Sequence, residues 1–409
     1  MSVGAVPVGG RILTKPFKAL AAVAAVGFAV IALRFAVGLG ATTAMNDGYA
    51  WGLWIAYDVV TGTAFACGGY ALALLVYIMN RGRYHPLVRS AILTSAMGYS
   101  IAGFSVMLDI GRWWGAWKVP FFVWRWNPNS VLLEVALCIM AYVVVVWIEL
   151  SPAFFERGRT AALPWVRRLS ERALVILDRG LIWIVALGFL LPTMHQSSLG
   201  SLMLIAGPRL HPLWQTPFLP LLFLISCLGM GFGAVIVESS MASRFFGRRP
   251  HTQMLAGLAA IVVPILLAFA AIRFGDLMAR GALPLLFAFD LRSVLALLEF
   301  GLVVVAGAML VTRTARHRAG TQFRAAMLLL AAGALYRFDT YLVAFQPGPQ
   351  WSYFPSLGEI VVTVGLVAFE VLVYLVLVKQ FPILGAQPAP PQRPRPSGIA
   401  RVERAGVTG

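Results

Sequence analysis

Residues 51–79, WGLWIAYDVVTGTAFACGGYALALLVYIM, form a long apolar run that contains one charged side chain, Asp58. About 20 helical residues cross the ~30 Å hydrocarbon core of a bilayer, so this run predicts a membrane span. Counting it, ten predicted spans cover residues 17–39, 51–79, 86–109, 128–151, 177–193, 217–241, 253–279, 291–312, 323–345 and 356–381. The runs lack the alternation of membrane strands, which must also close into a barrel. The predicted fold class is therefore an all-α integral membrane protein with ten transmembrane helices.

Composition and charge placement agree with this class. The 409 residues are 60% hydrophobic and carry a net charge of +17. Lys and Arg recur in both terminal segments and after the second, fourth, sixth and eighth spans, whereas the alternate loops hold few. This asymmetry predicts that both termini are cytoplasmic, and it accounts for the basic charge without nucleic-acid binding. The predicted organisation is an N-terminal cytoplasmic segment at 1–16, a transmembrane domain at 17–381 and a Pro-rich, basic, disordered tail at 382–409.

Ionisable residues inside the spans are the main functional signal. A carboxylate in the bilayer costs about 2.5–3.5 kcal/mol on insertion scales, so intramembrane acids usually mark a proton path or a polar ligand. The polar residues concentrate on the predicted outer side: Asp58, Asp109, Arg112, Glu134, His195 and Gln196. This one-sided depth predicts an outward-facing quinone pocket, with Glu299 and Glu370 continuing a proton path inward. The alternative is a set of structural ion pairs, for example Arg273 with Asp276 on one helix.

His195 and Gln196 follow the fifth predicted span, in LPTMHQSSLGSL, and are predicted in the outer loop region. In that setting His195 either hydrogen-bonds a quinone carbonyl or caps a re-entrant turn. Three other histidines lie in predicted cytoplasmic loops and His211 lies in the same outer region as His195. No pair spans the bundle as a b-type haem requires, so no haem is expected.

The three cysteines, Cys67, Cys138 and Cys227, are isolated within spans. They lack the paired spacing of zinc, c-type haem or iron–sulfur sites, so no metal is expected.

The loop between the third and fourth spans is rich in tryptophan. It contains Trp113, Trp114, Trp117, Trp124 and Trp126. Part of this enrichment is typical of the aromatic belt at a membrane interface. The density of the cluster also predicts a docking surface for a partner on the outer side, and both interpretations stay open.

Several long motifs carry a family resemblance. They are residues 51–93, GYSIAGFSVMLDIGRWW at 98–114, NSVLLEVALCIM at 129–140, LPTMHQSSLGSLM at 191–203, HPLWQ at 211–215, and YLVAFQPG with YFPS near 341–356. With these motifs the chain, to about residue 385, resembles the HybB-type membrane subunits of hydrogenase-2 [NiFe] hydrogenases, within the NrfD/PsrC-like polysulfide reductase family.

The resemblance implies a subunit of a bacterial inner-membrane complex that holds no cofactor and reduces a quinone substrate, menaquinone or ubiquinone. The implied partners are a ferredoxin-like iron–sulfur subunit and the large and small hydrogenase subunits on the periplasmic face. Trp51 and Trp54 would flank the quinone mouth, with Asp58, His195 and Gln196 binding quinone. The implied proton-transfer residues are Asp58, Asp109, Arg112, Glu134, Glu299 and Glu370.

Two other functions remain open from the sequence. Similar subunits serve sulfur-metabolism complexes, so the catalytic partner is not fixed by the fold. An independent proton-coupled transporter would show broken helices paired between two repeats. Pro192 and Pro264 interrupt spans, but they do not occupy matching positions in two alignable halves.

Overall fold

The structure, a computed structural model, describes residues 5–385 and is built from ten long apolar helices. They are α1 (Lys15–Val37), α2 (Trp54–Ile78), α3 (Gly82–Asp109), α4 (Val131–Gly158), α5 (Pro164–Ile205), α6 (Leu219–Phe245), α7 (Thr252–Ala279), α8 (Leu291–Val311), α9 (Ala319–Val343) and α10 (Leu357–Gln380). Each is long and apolar enough to cross a membrane. The ten-helix prediction is confirmed, whereas the cytoplasmic placement of the termini stays a prediction. The Pro-rich tail from residue 386 onward lies outside the described residues.

Side-chain caps set several helix ends. Ser356 and Glu359 form a capping box at the start of α10, in which the Ser356 hydroxyl accepts the Glu359 N–H at 3.2 Å. Asp290 caps α8 by accepting the Ser293 N–H at 2.8 Å. The hydrogen bonds from Ser293 hold the pKa of the Asp290 carboxyl below its usual range. Such caps satisfy backbone donors that have no partner within the helix.

Helix α2 lies at the centre of the bundle. It packs against α3, α6 and α9, and 83% of its most apolar window is buried, against 6% for α5. At Gly231 of α6 an added Cβ would lie 2.6 Å from the Cys67 carbonyl oxygen of α2, so only glycine allows this approach. Helices α1 and α10 pack against each other where Gly27 meets Gly365, and α10 also contacts α2 and α3. The apolar run at residues 51–79 therefore forms the central helix of the fold.

Wide π-helical turns interrupt two of the central helices. They occupy Trp54–Thr61 and Leu74–Ile78 in α2 and Asp339–Val343 at the end of α9. Turns of this kind are rare in helices and frequently occur at functional sites. Asp58 and Asp339 both lie within them. Hydrophobicity alone did not predict these turns, because the apolar pattern is the same for both helix types.

Candidate functional site

A buried polar group, the histidine cluster, joins α2, α3 and α5 through Thr63, Tyr99, His195 and Gln196. His195 and Gln196 are fully buried. The Gln196 amide donates to the Thr63 hydroxyl at 2.9 Å and to the Tyr99 hydroxyl at 3.3 Å. His195 Nε2 lies 3.4 Å from the same Thr63 oxygen. The Thr63 hydroxyl itself donates to the Val59 carbonyl at 2.6 Å, so the ring proton of His195 lies on Nε2 and Nδ1 is an acceptor. Within residues 5–385, His195 Nδ1 and Gln196 Oε1 have no hydrogen-bond partner, and both can accept a hydrogen bond from a ligand hydroxyl.

The prediction that His195 and Gln196 follow the fifth span in an outer loop is wrong. Both lie inside α5, which continues from Pro164 to Ile205 and contains Pro192. The polar stretch stays helical because its serine hydroxyls bond to carbonyls one turn back. Ser198, for example, donates to the Met194 carbonyl at 2.7 Å. A re-entrant turn at His195 is therefore excluded.

Arg337 of α9 lies beside the histidine cluster and is fully buried. Its guanidinium donates to the Val60 carbonyl at 2.9 Å, and to the Phe223 carbonyl at 2.6 Å and the Ser226 hydroxyl at 3.1 Å. No carboxylate within residues 5–385 lies within 4.0 Å of it. A buried cation held only by neutral oxygens favours a negative charge nearby. The sequence placed Arg337 inside a span, but the predicted site did not include it.

A second group, the Glu359 cluster, gathers Asp58, Asp109, Arg34 and Glu359 near the end of α3. The Asp58 carboxylate accepts hydrogen bonds from Ser105 and Thr363, both at 3.3 Å. Asp109 lies near Arg34 and Glu359, and one of its carboxylate oxygens has no partner in the described part of the chain. Carboxylates so placed can hold and release protons.

Glu359 itself is fully buried and well satisfied. It accepts the N–H groups of Ala44 and Ser356, each at 2.9 Å, and the Tyr353 hydroxyl at 2.5 Å. Burial, together with the Glu359 carboxylate, raises the pKa of Tyr353 well above its usual range. Tyr353 therefore stays a protonated hydrogen-bond donor at neutral pH, which fixes the carboxylate in position.

The two tryptophans that were predicted to flank the quinone entrance both donate hydrogen bonds to backbone carbonyls of neighbouring helices. Trp54 is buried and donates its indole N–H to the Glu359 carbonyl at 3.2 Å. Trp51 is half-buried and donates to the Tyr341 carbonyl at 3.1 Å. Along α2, Asp58 and Thr63 are about 7.5 Å apart at 1.5 Å per residue, so the Glu359 and histidine clusters are neighbours on one helix.

The other predicted proton-transfer residues are dispersed. Arg112 is exposed and outside the Glu359 cluster, where Arg34 of α1 lies near Asp109 instead. Arg34 donates to the carbonyls of Leu108 and Ile110 at 2.7 and 2.9 Å. Glu134 is half-buried on α4. Glu370 lies on α10 about two turns from Thr363 and close enough to Asp58 to interact with it.

Glu299 belongs to a third group, the Glu299 cluster, which also contains Trp214, Arg273, Tyr336 and Asp339. Arg273 forms an ion pair with Glu299 at 2.5 Å, and the Trp214 indole donates to Glu299 at 3.0 Å. The alternative pairing of Arg273 with Asp276 is wrong, because Asp276 pairs with Arg280 at 2.6 Å. The i,i+3 spacing suggested that Arg273 pairs with Asp276, but Glu299 on the neighbouring helix α8 is its partner instead.

The tryptophan-rich loop is largely uncovered. Trp114, Trp117, Trp124 and Trp126 are exposed, whereas Trp113 is half-buried and packs edge-on against Phe35 at 5.0 Å. Phe121 in the same loop is also exposed. Exposed aromatic side chains at this density are typical of a membrane interface or a partner surface.

A cleft of about 140 Å³ opens far from these clusters. It is lined by Arg89, Glu149 and Asp178 together with apolar side chains of α3 and α5. Arg89 and Ser105 are about 24 Å apart along α3 at 1.5 Å per residue. The cleft therefore lies toward the opposite ends of the helices from Asp58.

Comparisons with known proteins identify relatives of the chain. The family model described as "Polysulphide reductase, NrfD" matches residues 41–346. A probable Ni/Fe-hydrogenase 2 b-type cytochrome subunit of Escherichia coli (strain K12) is 41% identical over 383 residues, which is 92% of this chain and 94% of the relative. The integral membrane subunit of a menaquinone reductase of Nitratidesulfovibrio vulgaris is 27% identical over 59% of this chain and 57% of the relative. The resemblance predicted from the sequence motifs is confirmed.

The expectation that no haem is bound is contradicted by these comparisons. The Escherichia coli relative is named a b-type cytochrome subunit, and that name points to a haem. Among residues 5–385, no group of three or more His, Cys, Asp or Glu side chains could hold a metal ion. His195 is the one fully buried histidine there, and its ring packs against Tyr99 at 5.5 Å. The described side chains therefore do not fit a haem held by two facing histidines.

Proposed function

We propose, from the premise that this chain belongs to the polysulphide reductase NrfD family, that it is the quinone-reactive membrane subunit of a respiratory complex. Quinone takes up two electrons and two protons and becomes quinol. The electrons would come from an iron–sulfur partner on the outer face, in a [NiFe] uptake hydrogenase complex of a bacterial inner membrane. The hydrogenase partner is inferred from the name of the Escherichia coli relative.

One observation carries the quinone proposal. His195 Nδ1 and Gln196 Oε1 are buried, next to each other in sequence, and unpartnered within the described range. A buried polar atom without a partner costs about 1–3 kcal/mol, so the pair favours a bound polar ligand. A quinol hydroxyl can donate a hydrogen bond to the Gln196 amide oxygen or to His195 Nδ1. These two acceptors therefore favour the reduced form of the substrate.

The remaining side chains supply charge and protons. The positive charge of Arg337 favours reduced quinone, which is anionic before it is protonated. Within the Glu359 cluster, Asp58 would pass protons toward the quinone, and Glu370 would extend this path along α10. Trp51 and Trp54 would line the entrance for the apolar tail of the quinone. No step in this mechanism passes through a haem.

The exposed aromatic loop supports a docking role. Trp114, Trp117, Trp124 and Trp126 would bind the iron–sulfur partner, with the loop facing the periplasm as the charge asymmetry predicts. Aromatic residues are enriched in the buried centres of protein interfaces. Replacing Trp114 and Trp124 together with serine should reduce co-purification of the partner. Replacing Trp183, an exposed tryptophan on α5 outside this loop, with serine should leave co-purification unchanged. Equal co-purification of both variants would overturn the docking proposal.

A second partner class has support of its own. Relatives of this chain include subunits named for menaquinone reductase and for selenate reductase; the latter, from Mesobacillus selenatarsenatis, is 24% identical over 56% of this chain and 56% of the relative. The quinone chemistry would be the same and the electron source would differ. The identity of the co-purifying catalytic subunit separates the two cases.

The experiment purifies the tagged protein in mild detergent, identifies its partners, extracts bound quinone and records an optical spectrum. Quinone reduction is then measured for Asp58→Asn, with Asp276→Asn as the control because Asp276 is also a buried, membrane-helix aspartate. Loss of a positioned proton-transfer group typically costs about 100-fold or more in rate. Asp58→Asn should show that loss with an intact complex, and full activity in this variant would overturn the role of Asp58.

A further inference from the structure

The Glu299 cluster holds more acid than base. Glu299 and Asp339 are 2% and 1% exposed, and the Asp339 carboxyl lies within hydrogen-bonding reach of Glu299. Arg273 pairs with Glu299, and Arg280 pairs with Asp276. Asp339 therefore has no cation of its own among the described residues. Two adjacent carboxylates in a buried site cannot both remain ionised beside one cation at low cost.

Five buried polar atoms in the cluster have no hydrogen-bond partner within residues 5–385. They are Asp339 Oδ2, the Tyr336 hydroxyl oxygen, Glu299 Oε2, and Nη1 and Nη2 of Arg273, of which Nη1 and Glu299 Oε2 form the ion pair. Two carboxylate oxygens in hydrogen-bonding reach of each other are repulsive unless one of them carries a proton. A proton between Asp339 and Glu299 turns this contact into a hydrogen bond. Arg273 then balances the single remaining negative charge.

Among residues 5–385, no cation lies within 4.0 Å of the Asp339 carboxylate. Helix α7 contributes Arg273 and Asp276, and α8 contributes Glu299. Helix α9 contributes Tyr336 and Arg337, but the Arg337 guanidinium donates instead to carbonyls of α2 and α6. The loop before α6 contributes the Trp214 indole, which is neutral.

Helix α9 separates this cluster from the histidine cluster. It packs against α2 and α6 on one side and α8 on the other. Arg337 and Asp339 are two residues apart and therefore leave the helix in roughly opposite directions, with about 3 Å between them along the axis. Arg337, a buried cation without a carboxylate partner, and Asp339, a buried carboxylate without a cation of its own, thus lie on opposite faces of α9. Charge on one side is felt on the other because the interior screens it weakly.

We infer that Asp339 and Glu299 share one proton beside Arg273 and so form a proton-binding site. The affinity of this site for protons responds to the charge of the quinone bound in the histidine cluster, on the other side of α9. A negative charge on reduced quinone strengthens proton binding by the pair, and protonation of the quinone weakens it. The shared proton does not depend on the quinone chemistry, but the exchange rests on the proposed function.

Infrared spectroscopy of the purified complex tests the site directly. A shared proton gives a protonated-carboxyl C=O band that shifts on exchange into deuterated buffer. The wild-type minus Asp339→Asn difference spectrum should contain this band, whereas the wild-type minus Asp276→Asn spectrum should not, because Asp276 is already paired with Arg280. A wild-type minus Asp339→Asn spectrum without the band would overturn the shared proton. If that variant does not assemble, Asp339→Glu serves instead: it keeps a carboxyl and should displace the band, and an unmoved band would again overturn the inference.

Difference spectra between oxidised and reduced quinone test the exchange. The wild-type band should change in amplitude when quinone is reduced, and the change should be absent in Asp339→Asn. Quinone reduction with a constant band would overturn the exchange and leave the proposed function intact. A resting band in a protein that reduces no quinone would overturn the proposed function and keep the shared proton.

Discussion

The histidine cluster and the Glu299 cluster lie on opposite sides of α9 and differ in the charges of their buried polar groups. The first contains neutral side chains, and one cation, Arg337, lies beside it and is held by backbone carbonyls. The second contains two adjacent carboxyls and one paired cation, Arg273. The first is therefore suited to an electron-rich ligand and the second to a proton. We therefore assign the redox substrate to the histidine cluster and the proton that balances its charge to the Glu299 cluster.

The largest expected effect comes from removing the cation of the first region. Arg337→Met removes the guanidinium hydrogen bonds to the carbonyls of Val60 and Phe223 in the middle of the protein. A hydrogen bond to a charged group contributes about 1.5–3 kcal/mol, so the variant should unfold at a much lower temperature in detergent. Arg337→Lys should recover only part of the loss, because one ammonium group lacks the guanidinium fork. A wild-type melting temperature for Arg337→Met would contradict this account of the cation.

A smaller effect is expected when a carboxylate of the second region is removed. Glu299→Gln takes the counter-charge from Arg273, but Asp339 lies within reach and can ionise in its place. We expect a loss of about 1–2 kcal/mol, below the cost of leaving a buried charge unpaired. The double variant Glu299→Gln with Asp339→Asn has no replacement anion and should lose more than the sum of the single changes. Strict additivity in thermal unfolding would show that the carboxyls act independently.

The smallest effect distinguishes two buried tyrosines, one in each region. Tyr99 accepts a hydrogen bond from Gln196 at 3.3 Å, whereas the Tyr336 hydroxyl has no partner within residues 5–385. Tyr99→Phe should therefore cost about 0.5–1.5 kcal/mol. Tyr336→Phe should be neutral or slightly stabilising. Thermal unfolding of the two variants side by side checks the order, and a larger loss in Tyr336→Phe would reverse it.

Sequence reasoning was most successful where the signal is continuous. Each of the ten apolar runs became a helix, because the length and hydrophobicity of a span are set by the bilayer. It failed at α5, where the hydrophobic stretch ends before His195 but serine hydroxyls bonded to the backbone extend the helix. Pattern counting treats such serines as loop residues, although their hydrogen bonds are compatible with a buried helix.

The site could be predicted only in its parts. Asp58, Trp54 and Glu299 were identified as polar or aromatic residues at depth, and each is buried. Their grouping was not predictable, since partners such as Ser105 and Thr363 come from helices far apart in the sequence. Arg34 in the first span was missed, because its partners at the end of α3 are backbone carbonyls, which no residue type in the sequence marks. Helix neighbours decide such contacts, and one sequence does not specify them.

The most direct measurement is quinone reduction by the purified complex carrying His195→Gln, compared with His317→Gln. His195 is fully buried in the histidine cluster, whereas His317 is an exposed histidine in a connecting loop. We expect the first variant to lose about 100-fold or more in rate, as when a positioned proton donor or acceptor is removed, and the second to match the wild type. Both complexes should contain the same partners. A His195→Gln complex that reduces quinone at the wild-type rate would contradict the placement of the quinone site.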